Sequence, residues 1–336
     1  MGRWYGALQQ ERVQPNADVQ AKAAELTKNA ADESAKLRAI YDFVSTHFRY
    51  IGIAFGIGRY QPHSAGEILS NQYGDCKDKH TLTASLLQAA GITAYPALIS
   101  STHTLDPDVP SPGQFDHVIT YVIPGQKTMW LDTTAEIAPI GHLVPTLRDK
   151  PALIITTDKP PAFVTTPADP PFQTDLRFRA EGKLSDAGVL EASIEQTARG
   201  DLELVYRTMF RRIPQSRWKE LVQQLSYGSG FGGTVSEVVA SSPEGTDSAF
   251  HFSYAYNRKD YSDWENRRIT PPFPPISLPA LKDDQTKLTV PIWLGAPGES
   301  VLNARIRATE RVPARTAGFC GLKTRLRRIP CLLQGR

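Results

Sequence analysis

Asn71-Gln72-Tyr73-Gly74-Asp75-Cys76-Lys77-Asp78-Lys79 is the stretch on which the fold turns. Asn71 to Asp75 reads as a turn, with Gly74 free to take the tight backbone angles. A helix begins at or beside Cys76, runs through Leu86 and Leu87, and stops at Gly91, a residue suited to the position just past a helix end. A cysteine attacks only as its thiolate. At a helix start, unpaired N–H groups and the positive end of the helix dipole favour that anion. Cys76 is therefore a candidate nucleophile, and its own N–H is the first candidate donor for an oxyanion hole. Gln72, Tyr60 and Gln61 are candidates for a further donor. Asp75 and Asp78 work against a thiolate, so the reading requires a basic partner.

That partner is found downstream. His117 to Ile123 and Thr128 to Asp132 read as strands joined by Pro124-Gly125-Gln126-Lys127, a hairpin by its turn residues. If the loop has four residues, Ile123 pairs with Thr128, Ile119 faces Asp132 and His117 faces Thr134. Side chains alternate along a strand, so His117 and Asp132 share a face as diagonal neighbours about 7–8 Å apart at the backbone, within reach of a hydrogen bond. Asp132 would then fix the imidazole tautomer while His117 holds the thiolate. His80, one helical turn after Cys76, could join His117 and Asp132 at a zinc ion. No second Cys or His pair has metal spacing, so neither metal nor cofactor is expected.

Around these residues the sequence organises into two domains. Asn16 to Ala30 reads as a helix capped by Asn16 or Asp18. Asp32 to Phe48 is a second helix, whose Leu37, Ile40, Tyr41, Val44 and Phe48 form one apolar face. Ser64 and Glu67 make a capping box, Thr93 to Ser100 is a strand, and Ser101 to Gln114 a surface loop. The expected division is a catalytic domain over 1–155 with its core at about 30–153, a Pro-rich linker at 156–172, an α+β accessory domain over 173–312 and an atypical basic tail at 313–336. In the accessory part Asp175 to Arg179, Gly188 to Ala198, Thr234 to Ala240 and Ser248 to Tyr256 read as strands. Gly200 to Ser226 reads as helix interrupted near Pro214, and Thr270 to Pro279 as extended. No constellation of reactive residues falls there.

Composition excludes several classes. A net charge of +3 is too small to argue for nucleic acid or an anionic membrane surface. No run approaches the roughly 18 apolar residues of a membrane helix. Met1 to Gln10 has neither the apolar run nor the cleavage pattern of a signal peptide. Cys76, Cys320 and Cys331 are too few and too scattered for a disulfide framework, and the last two lie in the basic tail.

Tyr73-Gly74-Asp75-Cys76-Lys77-Asp78-Lys79, Phe115-Asp116-His117-Val118-Ile119 and Trp130-Leu131-Asp132-Thr133-Thr134, in that order, resemble bacterial transglutaminase-like proteins. They are most similar to the subgroup in which this domain follows an uncharacterised β-rich domain. Arg49-Tyr50-Ile51 and Tyr60-Gln61-Pro62 fit as well, and the resemblance covers roughly Ala30 to Leu153. It implies an α+β papain-like fold, a Cys76–His117–Asp132 triad and thioester chemistry on an amide of a protein or peptide substrate. The outcome would be acyl transfer or hydrolysis. It also implies an exported or periplasmic setting, if the true start lies upstream. The alternative is a non-catalytic scaffold that keeps the fold.

Overall fold

In the computed structural model the described residues are 1–52, 56–125, 127–261, 272–274, 297–308 and 320–326, with residue 308 and the last stretch described through the backbone alone. The chain divides after Pro171 into two units. In the first unit the helices are α1 (Gly2–Gln9), α2 (Ala17–Thr27), α3 (Glu33–His47), α4 (Ala65–Asn71) and α5 (Cys76–Ala89). The strands are β1 (Arg49–Tyr50), β2 (Tyr73–Gly74), β3 (Ala94–Ile99), β4 (His117–Val122), β5 (Met129–Leu131), β6 (Pro151–Ile154) and β7 (Ala162–Thr165).

Side-chain caps set most helix starts. Asn16 accepts from Val19 N at 3.0 Å and Asp32 from Ala35 N at 2.8 Å. Ser64 and Glu67 form the expected reciprocal box. The apolar stripe of α3 is buried throughout, from Leu37 to Phe48. It packs with Leu82, Leu86 and Leu87 of α5 and with Val19 and Ala23 of α2. Every residue of α5 from Lys77 to Leu87 is buried, so its polar side chains need internal partners. Thr81 and Thr83 find them by donating to the Lys77 and Lys79 carbonyls at 2.8 and 2.7 Å.

This buried helix lies against an antiparallel sheet of order β5-β4-β3-β6-β7. The hairpin register is Thr120 opposite Leu131, Tyr121 opposite Trp130 and Val122 opposite Met129. One further step puts Ile119 opposite Asp132, the register of a four-residue loop. A helix that the sequence did not suggest, α1, also packs on the sheet. Gly2 and Gly6 bring its backbone so close that a Cβ on Gly2 would meet Pro161 at 2.5 Å. Tyr5 of α1 joins Leu98, Val118, Leu153 and Ile155 in a small core, against which Cys76 and Phe115 pack.

The stretch 156–172, expected as a linker, instead contributes β7 to this sheet, antiparallel to β6. Prolines bracket Ala162–Thr165 rather than interrupt it, and β7 is an edge strand, where missing N–H groups are tolerated.

The second unit runs β8 (Thr174–Leu184), β9 (Leu190–Arg199), α6 (Asp201–Arg212), α7 (Trp218–Gly228), β10 (Thr234–Ala240), β11 (Phe250–Arg258), β12 (Gly298–Ala308) and β13 (Cys320–Leu326). Its sheet has the order β10-β11-β9-β8-β12-β13, with β12 parallel to β8. Within the atypical basic tail, Cys320–Leu326 is a strand paired to β12. The proline-rich Thr270 to Pro279 lies outside the described residues except for 272–274, as do the 312/313 boundary and Cys331. Phe210, Val222, Phe250 and Phe252 are among the residues that fill the core between helices and sheet.

Glu203 and Arg207 are both fully buried in that unit. Arg207 donates to Glu203 through Nε and Nη2 at 2.9 and 2.8 Å, and to the Ser242 and Ser248 carbonyls at 2.9 and 2.6 Å. Arg199 reaches Glu203 from the other side at 3.0 Å. Breaking a buried ion pair strands a charge, so Arg207→Met is expected to destabilise the protein by about 3–5 kcal/mol. Urea unfolding measures this; an unchanged midpoint would mean that the cluster is not an anchor.

Candidate active site

Cys76 is the first residue of α5. Asp75, the cap, accepts from Lys77 N and Asp78 N at 3.1 and 3.3 Å, and the Lys77 ammonium closes onto its second oxygen. Asp78 returns the favour, accepting from Asp75 N at 3.3 Å. This capping box uses the donors on either side of Cys76. The Cys76 N–H has no partner among the described residues. Gly74 is required by contact as well as by the turn: a Cβ there would lie 2.5 Å from Asp78 Cβ.

The two flanking carboxylates are thus both engaged. Asp75 is held by Lys77, which is itself buried. Asp78 accepts from His63 N at 2.9 Å and faces the His63 ring at 3.2 Å.

His117 opens β4 and meets Asp132, which follows β5. The Nε2–Oδ2 distance is 3.1 Å, with both side chains largely buried. Asp132 is also held by Thr134, whose N and Oγ1 donate to its other oxygen at 2.9 and 2.6 Å. With Nε2 committed to Asp132, Nδ1 is the ring nitrogen left for the thiol, and Cys76 is near enough to act on the ring.

The electrostatics follow from this order. Burial alone would push the His117 pKa down. The Asp132 charge and hydrogen bond, followed by the hydrogen bond and charge of Cys76, outweigh it and raise the ring to about 10. For Asp132, burial works upward, but the His117 charge and hydrogen bond and the two Thr134 hydrogen bonds hold the carboxyl below its usual range.

Tyr50 joins the cluster, a role not assigned to it from sequence. It lies in β1, paired in parallel with β2. Burial and the nearby Cys76 and Asp75 raise its phenol pKa and keep it protonated. The only sequence signal was Arg49-Tyr50-Ile51 itself; a two-residue parallel pair has no periodicity to detect. The other candidate donors are engaged elsewhere. The Gln61 amide faces the Arg12 guanidinium, the Tyr60 ring packs edge-on to Trp4 at 5.3 Å, and Gln72 is an exposed residue in the left-handed region at the end of α4.

His80 is not brought to His117 and Asp132. Its Nδ1 meets Thr120 Oγ1 at 2.7 Å in the core, and burial pushes its pKa down to about 3. Among the described residues no three His, Cys, Asp or Glu side chains gather where they could hold a metal. His142 is buried beside Arg148 at 3.2 Å.

Residues 20–118 match the family model of the transglutaminase-like superfamily. The match contains Cys76 and His117 and ends before Asp132. Among solved structures, the chain is similar to a "putative protease" from Parabacteroides distasonis, with 13% identity and a TM-score of 0.46 over 79% of this chain and 55% of that one. It is also similar to a "putative cysteine protease" from Cytophaga hutchinsonii, with 20% identity and a TM-score of 0.29 over 36% of this chain and 40% of that one. The chain therefore spans about half the length of these proteins or less. No curated protein matches it.

A raised imidazole stabilises the fold fully below its unfolded pKa of about 6.5 and loses that contribution as pH climbs through about 10. The excess stability of the wild type over Asp132→Asn is therefore expected to shrink across that window, measured by urea unfolding at a series of pH values. In the same variant, NMR titration of the His117 ring should give a pKa several units lower. A ring that still titrates near 10 would contradict the assignment of the shift to Asp132.

Proposed function

With residues 20–118 identified as a transglutaminase-like domain, we propose that the chain is a cysteine enzyme acting on amide or peptide carbonyls, with Cys76 as nucleophile, His117 as acid and base, and Asp132 as the group that orients His117. The observation that carries this reading is His117, held through Nε2 by Asp132 at 3.1 Å and near enough to Cys76 for that group to act on the ring. Burial without those partners would leave the ring neutral. With them it is a cation placed to hold a thiolate.

The chemistry then runs in two halves. The Cys76 sulfur attacks the amide carbon, and the carbonyl electrons move to oxygen. The unpartnered Cys76 N–H is placed to accept that charge, and the protonated Tyr50 phenol is a second donor beside it. The tetrahedral intermediate collapses as His117 gives its proton to the departing nitrogen, leaving a thioester on Cys76. Water or an amine attacks the thioester, His117 takes the incoming proton, and the thiolate leaves. Water gives hydrolysis and an amine gives transfer. Both outcomes use the same residues.

The matched segment stops short of Asp132, so the third member rests on the hairpin. Register and distance both favour it: the strands align Ile119 with Asp132, and the carboxylate lies 3.1 Å from the ring. The second unit, where no comparable cluster falls among the described residues, would serve as an accessory domain.

The test is turnover of glutamine-containing peptides with and without a fluorescent amine, followed by mass spectrometry for cleavage, deamidation and amine incorporation. Cys76→Ala is expected to abolish all three, and Asp132→Asn to lower the rate by about 10²–10⁴-fold, the range ascribed to an acid–base group. Turnover that survives Cys76→Ala would overturn the proposal.

A further inference from the structure

The ribbon that leads into Cys76 has one side left open. In a parallel ladder, alternate residues of a strand turn their N–H and C=O toward the neighbour. Arg49 N donates to the Gln72 carbonyl at 3.2 Å, and Ile51 N to the Gly74 carbonyl at 3.0 Å. Tyr50, one residue out of phase, turns its own N–H and C=O away from β2. Among the described residues neither has a partner. An unpaired strand edge normally carries charges, a bulge or a cover. Here Arg49 is exposed on the Tyr73 face, and large apolar side chains are exposed on both faces. Tyr50 is 47% exposed, Ile51 37% and Tyr73 41%. Tyr50 projects on the Gly74 side of the ribbon, beside Cys76, while Ile51 and Tyr73 project on the other.

We propose that the free edge of β1 is the docking strand for an extended stretch of substrate polypeptide, which adds beside Tyr50 and carries bulky apolar side chains flanking the amide presented to Cys76. The proposal rests on Cys76 being the nucleophile. An extended chain supplies what the edge lacks: an acceptor for Tyr50 N–H and a donor for Tyr50 C=O, one residue apart in phase. Its side chains alternate between faces. One set therefore meets Tyr50 on the side of the thiol, and the next meets Ile51 and Tyr73 behind. That alternation accounts for apolar exposure on both faces of so short a strand. A compact small-molecule amide would engage at most one face. Tyr50 pairs with Gly74, two residues before Cys76, so a segment added at this edge lies alongside the sulfur.

The test uses the full chain and tripeptidyl chloromethyl ketones, which alkylate Cys76 irreversibly. The probes carry either Phe and Leu or Ser and Asp at the flanking positions, and each apolar probe is also made with N-methylated backbone amides. Labelling rates at Cys76, read by peptide mass spectrometry, are normalised to iodoacetamide labelling of the same protein. The apolar probe is expected to react at least about tenfold faster than the polar one, the discrimination that apolar pockets give. N-methylation should remove most of that advantage, and Ile51→Ser with Tyr73→Ser should narrow it. Equal normalised rates, or an apolar preference indifferent to N-methylation, would overturn strand addition. Pairing of β1 with a second copy of the chain would appear as a dimer by light scattering together with equal probe rates, and it would overturn the proposal too. Iodoacetamide labelling that is slow and indifferent to His117→Ala would instead remove the nucleophile, and this proposal with it.

Discussion

The start of α5 is the constraint on which the site depends. Asp75 and Asp78 each bind the other's backbone, so the helix can begin at only one residue, and that residue is Cys76. Asp75 takes the second and third N–H groups of the helix while leaving the first to point outward. The arrangement places two carboxylates beside the thiol that the proposed chemistry uses as an anion. Lys77 and His63 are the counterweights, each drawn to one of the two acids. Gly74 permits the close approach of Asp78 that completes the box. A helix start of ordinary composition thus becomes a place where a sulfur is held between exposed backbone donors and satisfied acids.

The second half of the site comes from strands rather than helices, and the fold brings the halves together through packing. The helix α5, buried from Lys77 to Leu87, lies against β4, with Tyr41 of α3 donating to the Ala138 carbonyl at 3.0 Å just beyond Asp132. Thr134 bonds Asp132 from the chain immediately after it. The carboxylate is therefore fixed before it meets His117. A fixed, buried negative charge can keep a buried imidazole protonated, where a mobile one would be screened or would turn away. The bond from Nε2 to this fixed carboxylate sets the orientation of the ring as well as its charge.

Much of this was legible in the sequence because it is local. The Asn16, Asp32 and Ser64 caps and the apolar stripe of α3 are written in residues within a few positions of each other. The His117–Asp132 pairing was legible because a four-residue loop fixes the register of the strands it joins. What was not legible is non-local. Nothing near Gly2 announces that α1 will rest on Ile155 and Pro161. β12 depends on a parallel partner more than a hundred residues earlier, and β7 hides between prolines. Tyr50 is the clearest case at the site. Its strand is two residues long and acquires meaning only when Tyr73 and Gly74 fold back beside it.

The account stands or falls on whether Cys76 and His117 form a thiolate–imidazolium pair. The most direct measurement is the rate at which iodoacetamide alkylates Cys76 at neutral pH, read by peptide mass spectrometry in the wild type and in His117→Ala. An activated pair predicts fast labelling that is lost without His117. Labelling that is slow, and no slower without His117, would contradict it.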